Sequence, residues 1–116
     1  MPLDPKLQER INEIRSRFLE VLNERLLEFG EIRTKLDENA CSETEMVNLR
    51  FGVHKIIGVS STLGFDRLGD FATGTMQDIE AFVQSENDVS IRYSLMDSLD
   101  ALLAEIRSIS LNEATS

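Results

Sequence analysis

Downstream of Pro5, apolar residues return at steps of three and four: Leu7, Ile11, Ile14, Phe18, Leu22, Leu26, Phe29, Ile32 and Leu36. That spacing lays one apolar stripe along a helix. Asn23 and Gly30 are the two points where it can break, so the stretch reads as one long helix or two. The stripe stops at the polar run DENACS.

A new helix is expected at Ser42. Glu45 stands three residues on, and in that spacing each side chain accepts from the other residue's backbone N–H, a capping box. Met46, Leu49, Val53 and Ile56 form its inner stripe, continued by Ile57, Ser60 and Leu63, and Gly64 closes it. A third helix is expected from about Asp66, with Leu68, Ala72, Met76, Ile79 and Val83 inward. The segment SEND breaks the pattern, and Asn87 or Asp88 can cap a fourth helix. This last helix carries Tyr93, Met96, Leu99, Leu102, Leu103 and Ile106 at helical steps, and the tail SLNEATS reads as frayed.

No stretch alternates with the period of two that a half-buried strand requires, and no proline occurs after Pro5. The pattern therefore predicts an all-α fold, an antiparallel up-down four-helix bundle. Each helix would have about 20 residues and a length of ~30 Å. The length of the first stripe leaves room for an additional N-terminal helix or helical extension. A chain of 116 residues suits one domain over 1–116, its core at about 7–109.

Charge narrows the partners. Twelve basic against 21 acidic residues give a net charge of −9. Nucleic acid needs a basic footprint and anionic membranes attract basic segments, so neither is expected as a partner. No apolar run approaches a membrane span, and the N-terminus lacks the apolar stretch of a secretory signal. Cys41 is the single cysteine, which excludes an internal disulfide and suits a reducing compartment. A cytoplasmic monomer is the expectation. With one His and one Cys and no C-x-x-C or H-x-x-x-H spacing, no metal site is expected.

The one histidine, His54, shares a helix face with Val47, Arg50, Phe51, Gly58 and Ser61. This face is rotated by about 100° from the stripe through Val53, which puts the imidazole at the edge of the core and open to solvent. Helical glycine costs roughly 1 kcal/mol relative to alanine. Gly52 and Gly58 fall in the second helix, Gly69 and Gly74 in the third. Close helix packing is one reason to keep Gly69 and Gly74, whereas Gly58 would give clearance for something approaching His54. An imidazole has an ordinary pKa of about 6.5, so much of it is neutral and nucleophilic near pH 7. Arg50, one turn earlier, and Lys55, adjacent in sequence, are cations that could reach a phosphoryl group on the ring.

The run VHKIIGVSSTLGFDRL resembles the signature of histidine phosphotransfer (HPt) domains, the relay modules of multi-step two-component signalling. The family places glycine four after the histidine, small residues beyond, glycine ten after and leucine fourteen after. Here these are Gly58, Ser60 and Ser61, Gly64 and Leu68. RFLEVLNERL resembles the preceding helix of the family, and the likeness spans about 7–109. Many members carry lysine three after the histidine, where this chain has Ile57. In another version the basic residue comes directly after the histidine, as Lys55 does.

The resemblance implies that His54 accepts a phosphoryl group from an aspartate of one receiver domain and passes it to another. Lys55, Arg50 and Gln77 would support the group, Gln77 standing near the glutamine that orients the imidazole in some members. Gly58, Phe51 and Ser61 would meet the receiver. Partners would be receiver domains of hybrid histidine kinases and response regulators. The chain would need no cofactor of its own, since Mg²⁺ belongs to the receiver, and it would be a carrier and no autonomous enzyme.

Three other readings compete. One is an acidic helical adaptor without phosphotransfer. Another is a histidine-kinase dimerisation domain, but there an acidic residue comes after the histidine and a proline soon after that; here Lys55 takes the acidic position and the proline is lacking. The third is a hydrolase with His54 as general base, for which no serine–acid arrangement stands out.

Overall fold

In the computed structural model, which describes residues 4–86 and 88–115 (side chains only to residue 113), the chain forms four helices. They are α1 (Pro5–Asp37), α2 (Glu43–Ser60), α3 (Asp66–Gln84) and α4 (Val89–Thr115). There is no strand among the described residues.

Local chemistry sets the ends. Asp4 accepts from the Lys6 amide at 2.8 Å, and Pro5 occupies the first helical position, where a missing N–H costs nothing. α1 then runs unbroken through Asn23 and Gly30. It ends in a Schellman motif: the Ala40 amide donates to the Lys35 carbonyl at 2.7 Å and Asn39 takes a left-handed φ of 54°. The capping box opens α2 as the spacing of Ser42 and Glu45 implies. The Glu45 amide donates to Ser42 Oγ at 3.1 Å and the Ser42 amide to Glu45 Oε1 at 3.0 Å. A second Schellman closure ends α2, where the Phe65 amide donates to the Ser60 carbonyl at 2.8 Å and Gly64 has φ 82°. Asp88 caps α4 by accepting from the Ile91 amide at 3.1 Å. Asn87, the other candidate, lies outside the described residues.

Contacts between neighbours show that every adjacent pair is antiparallel. Arg33 pairs with Asp100 and Arg15 with Glu113, so α1 and α4 run oppositely. Arg50–Glu80, with Gly69 beside Ser60, does the same for α2 and α3, and Arg67–Glu105 with Asp78–Ser94 for α3 and α4. Lys35–Glu45 joins the near ends of α1 and α2. The result is an up-down four-helix bundle around Leu22, Phe29, Leu49, Val53, Leu68, Ile79, Leu99 and Ile106, all fully buried.

The helices are not equal. α1 has 33 residues and α4 has 27, against 18 and 19 for α2 and α3. Arg15 donates to the Leu63 carbonyl at 3.0 Å, level with the α2–α3 loop. The turns of α1 before it rise past that loop, so Leu7 is exposed although it sits on the predicted stripe. Ile14, beside Arg15 on the same stripe, is exposed at the rim of the cleft between α1 and α2. The tail expected to fray continues α4 to Thr115 alongside this extension. Two more inward assignments fail. Val83 is exposed near the end of α3, where Phe82 packs against the core in its place. Tyr93 is exposed because the inner face of α4 runs through Leu95, Met96 and Leu99, and its ring lies under the Arg92 guanidinium.

Candidate functional site

His54 lies in the middle of α2, whose buried face carries Met46, Leu49, Gly52, Val53, Ile56 and Ser60. The imidazole falls outside that face and is exposed. No side chain among the described residues hydrogen-bonds or ion-pairs with it. The acid–histidine pair that a general-base hydrolase uses to orient its imidazole is therefore not formed within these residues.

Beside the ring lies an open groove of about 400 Å³ between α2 and α3. Val47, Arg50, Phe51 and His54 line it from α2, and Met76 and Glu80 from α3. Val47 and Phe51 are exposed apolar side chains, 60% and 57% accessible, and together they make one apolar patch beside the ring. Arg50 is not free over the ring: its Nε donates to Glu80 Oε1 at 2.8 Å. Arg50 is exposed and Glu80 half-exposed, so the pair contributes little stability and exchanges readily. Lys55 stands with its Nζ 5.1 Å from the Phe51 ring centroid, a cation–π contact.

One turn beyond His54, a Cβ built on Gly58 meets nothing within 4 Å. The surface there is open backbone. Ser61, at the C-cap of α2, is exposed as well. Gln77 is exposed on α3 but does not line the groove; its neighbour Met76 does. The fold thus brings together His54, Arg50 and Phe51, leaves Gly58, Ser61 and Lys55 on the adjoining surface, and does not bring Gln77 into the groove. Sequence spacing gives no hint of Glu80. Its place as partner of Arg50 depends on the register of α3 against α2, for which one helix's pattern carries no signal. Met76, on the inward stripe of α3, is half-buried and forms the groove wall.

The other helical glycines serve different ends. A Cβ on Gly52 would lie 2.9 Å from two ring carbons of Phe29, so its absence lets α1 and α2 approach. A Cβ on Gly69 would meet Ser60 Cβ at 3.4 Å, an ordinary packing contact, but Gly74 meets nothing, and close packing does not account for it. Cys41 is half-buried and desolvation, with Glu45 nearby, pushes its thiol up to about 11, so it stays protonated at neutral pH. Among the described residues no cluster of His, Cys, Asp and Glu is placed to hold a metal, and no helix is long and apolar enough to cross a membrane.

Comparison of the chain with family models, curated proteins and solved structures gave no match.

Proposed function

We propose that the chain is a histidine phosphocarrier of the HPt kind, taking a phosphoryl group on His54 from a receiver domain and yielding it to another. The observation that carries this reading is an imidazole that is exposed in the middle of a helix, with open backbone at Gly58 one turn on. The spacing of Gly58, Ser60, Ser61, Gly64 and Leu68 after it adds the resemblance.

The chemistry asks little of the carrier. The Nε2 lone pair of neutral His54 attacks the phosphorus of a receiver's aspartyl phosphate in line. The N–P bond forms as the P–O bond breaks, and the aspartate carboxylate leaves with the electron pair. The receiver's Mg²⁺ neutralises charge on the transferring group, and catalysis is mostly positioning. Val47, Phe51 and Met76 offer an apolar surface for docking beside the ring. Lys55 and Arg50 supply positive charge for the phosphorylated imidazole, Arg50 by exchanging Glu80 for a phosphoryl oxygen. Gln77 and Ser61 take outer places in this reading. A cytoplasmic location belongs to it, because receivers and their kinase modules work there.

The test is transfer from phosphorylated receiver domains in the presence of Mg²⁺. The reading expects uptake by the wild-type chain and none by His54→Gln. It expects Gly58→Ala to transfer nearly normally and Gly58→Trp to be slowed at least tenfold, with helicity unchanged in both. Uptake by His54→Gln equal to wild type contradicts the reading. An adaptor without phosphotransfer would bind its partner and take up nothing.

A further inference from the structure

A second groove, of about 250 Å³, lies on the other side of α2, between it and α1. Its floor is Phe18 and Val21 from α1 with Ile56 and Val59 from α2, and Ile14 stands exposed at its rim. Gly52 lines it with bare backbone. Arg17, Arg25 and Lys55 stand at its edges, and no acidic side chain lines it. In a chain with 21 acidic residues and a net charge of −9, that is a marked local reversal of sign.

The three cations have donors to spare. Arg17 and Lys55 are exposed and form no ion pair among the described residues. The Lys55 ammonium, which rests 5.1 Å from the Phe51 ring centroid, would swing off that ring to meet an anion here. Arg25 gives one terminal nitrogen to Glu28 at 2.7 Å, but its Nε is buried without a hydrogen-bond partner. That Nε is sealed against the backbone at Gly52, so an anion in the groove would meet the terminal nitrogens of the guanidinium instead. Guanidinium groups match a planar carboxylate through paired N–H donors, and an apolar floor calls for an apolar body. The volume lies just below the roughly 300–1,000 Å³ of typical ligand pockets, which limits the occupant to a small molecule.

We propose that this groove binds a small amphipathic carboxylate, an aliphatic acid anion, with its chain on Phe18, Val21, Ile56 and Val59 and its carboxylate among Arg17, Arg25 and Lys55. Binding does not depend on the phosphocarrier reading, although Lys55 belongs to both surfaces.

Titration of the full chain with decanoate, monitored through its methyl NMR signals, tests this. The proposal expects saturable shifts confined to Val21, Ile56, Val59 and Ile14. Arg17→Gln combined with Lys55→Gln should weaken binding at least tenfold, with the fold checked by circular dichroism. Val59→Trp, which fills the floor, should abolish the shifts. Decanol should bind at least tenfold more weakly than decanoate. Absence of saturable shifts, shifts spread over the whole surface, or equal affinity for decanol or for the charge-neutralised variant overturns it. Because the Gln pair lies on exposed positions, failure of Val59→Trp to fold leaves that comparison decisive.

Discussion

Gly52 and Gly58 lie on one helix and meet opposite surroundings, which gives the residue scale its sharpest contrast. At Gly58 a methyl group enters open space, so Gly58→Ala should stabilise the protein by about 0.5–1 kcal/mol, the helix-propensity gain. At Gly52 the same methyl meets the buried Phe29 ring at 2.9 Å, and overpacking of that kind costs about 1–3 kcal/mol. Urea denaturation of the two variants should therefore shift in opposite directions; a shared direction would show that the α1–α2 contact at Phe29 is softer than described. Cys41 gives a second test. Its raised thiol value means that iodoacetamide at pH 8 should alkylate it well below the rate of an unhindered cysteine, with the rate recovering on denaturation. The glycines also mark a limit of sequence reading. Gly58's openness was legible from its face, but which helix crowds Gly52 was not, because that depends on a neighbour distant in sequence.

Elements join at their ends, and there the sequence was at its most readable. Ser42, Glu45 and Gly64 declare their roles through spacing and backbone geometry alone. Ser42→Ala should cost about 1 kcal/mol by removing the cap. Glu45 is held below the usual carboxylate range, first by the Ser42 amide and then by the Lys35 ammonium. A lowered folded-state value means that this contribution is present above the ordinary Glu pKa of about 4.3 and is lost as pH falls through the folded value below it. Glu45→Gln should accordingly flatten the loss of thermal stability in that acid window, as scanned by circular dichroism; an unchanged acid limb would remove Glu45 from the account. Helix lengths were less readable. The stripe of α1 continues through Leu7 as if it were covered, yet the α2–α3 loop ends lower down. Leu22→Ala should cost about 2–5 kcal/mol, whereas Leu7→Ala should stay within about 0.5.

At the scale of the whole molecule, an elongated body of 51 × 24 × 21 Å offers two grooves flanking one helix. Periodicity foretold the four antiparallel helices, because a bundle is what four amphipathic stripes with short loops can bury. The candidate site was legible as far as one helix carries it: the common face of His54, Arg50 and Phe51 comes from α2 alone. Glu80 and Met76 come from α3, and the apolar, cation-edged groove from the meeting of α1 with α2, neither of which any single stripe encodes. The central claim is that one ring nitrogen on this body holds a phosphoryl group between donors and acceptors. Its most direct measurement is peptide mapping of the chain after incubation with a phosphorylated receiver, with the label tested for stability in acid and base. The account predicts a single label on His54, labile in acid and stable in base; an acid-stable label, or one on any other residue, would contradict it.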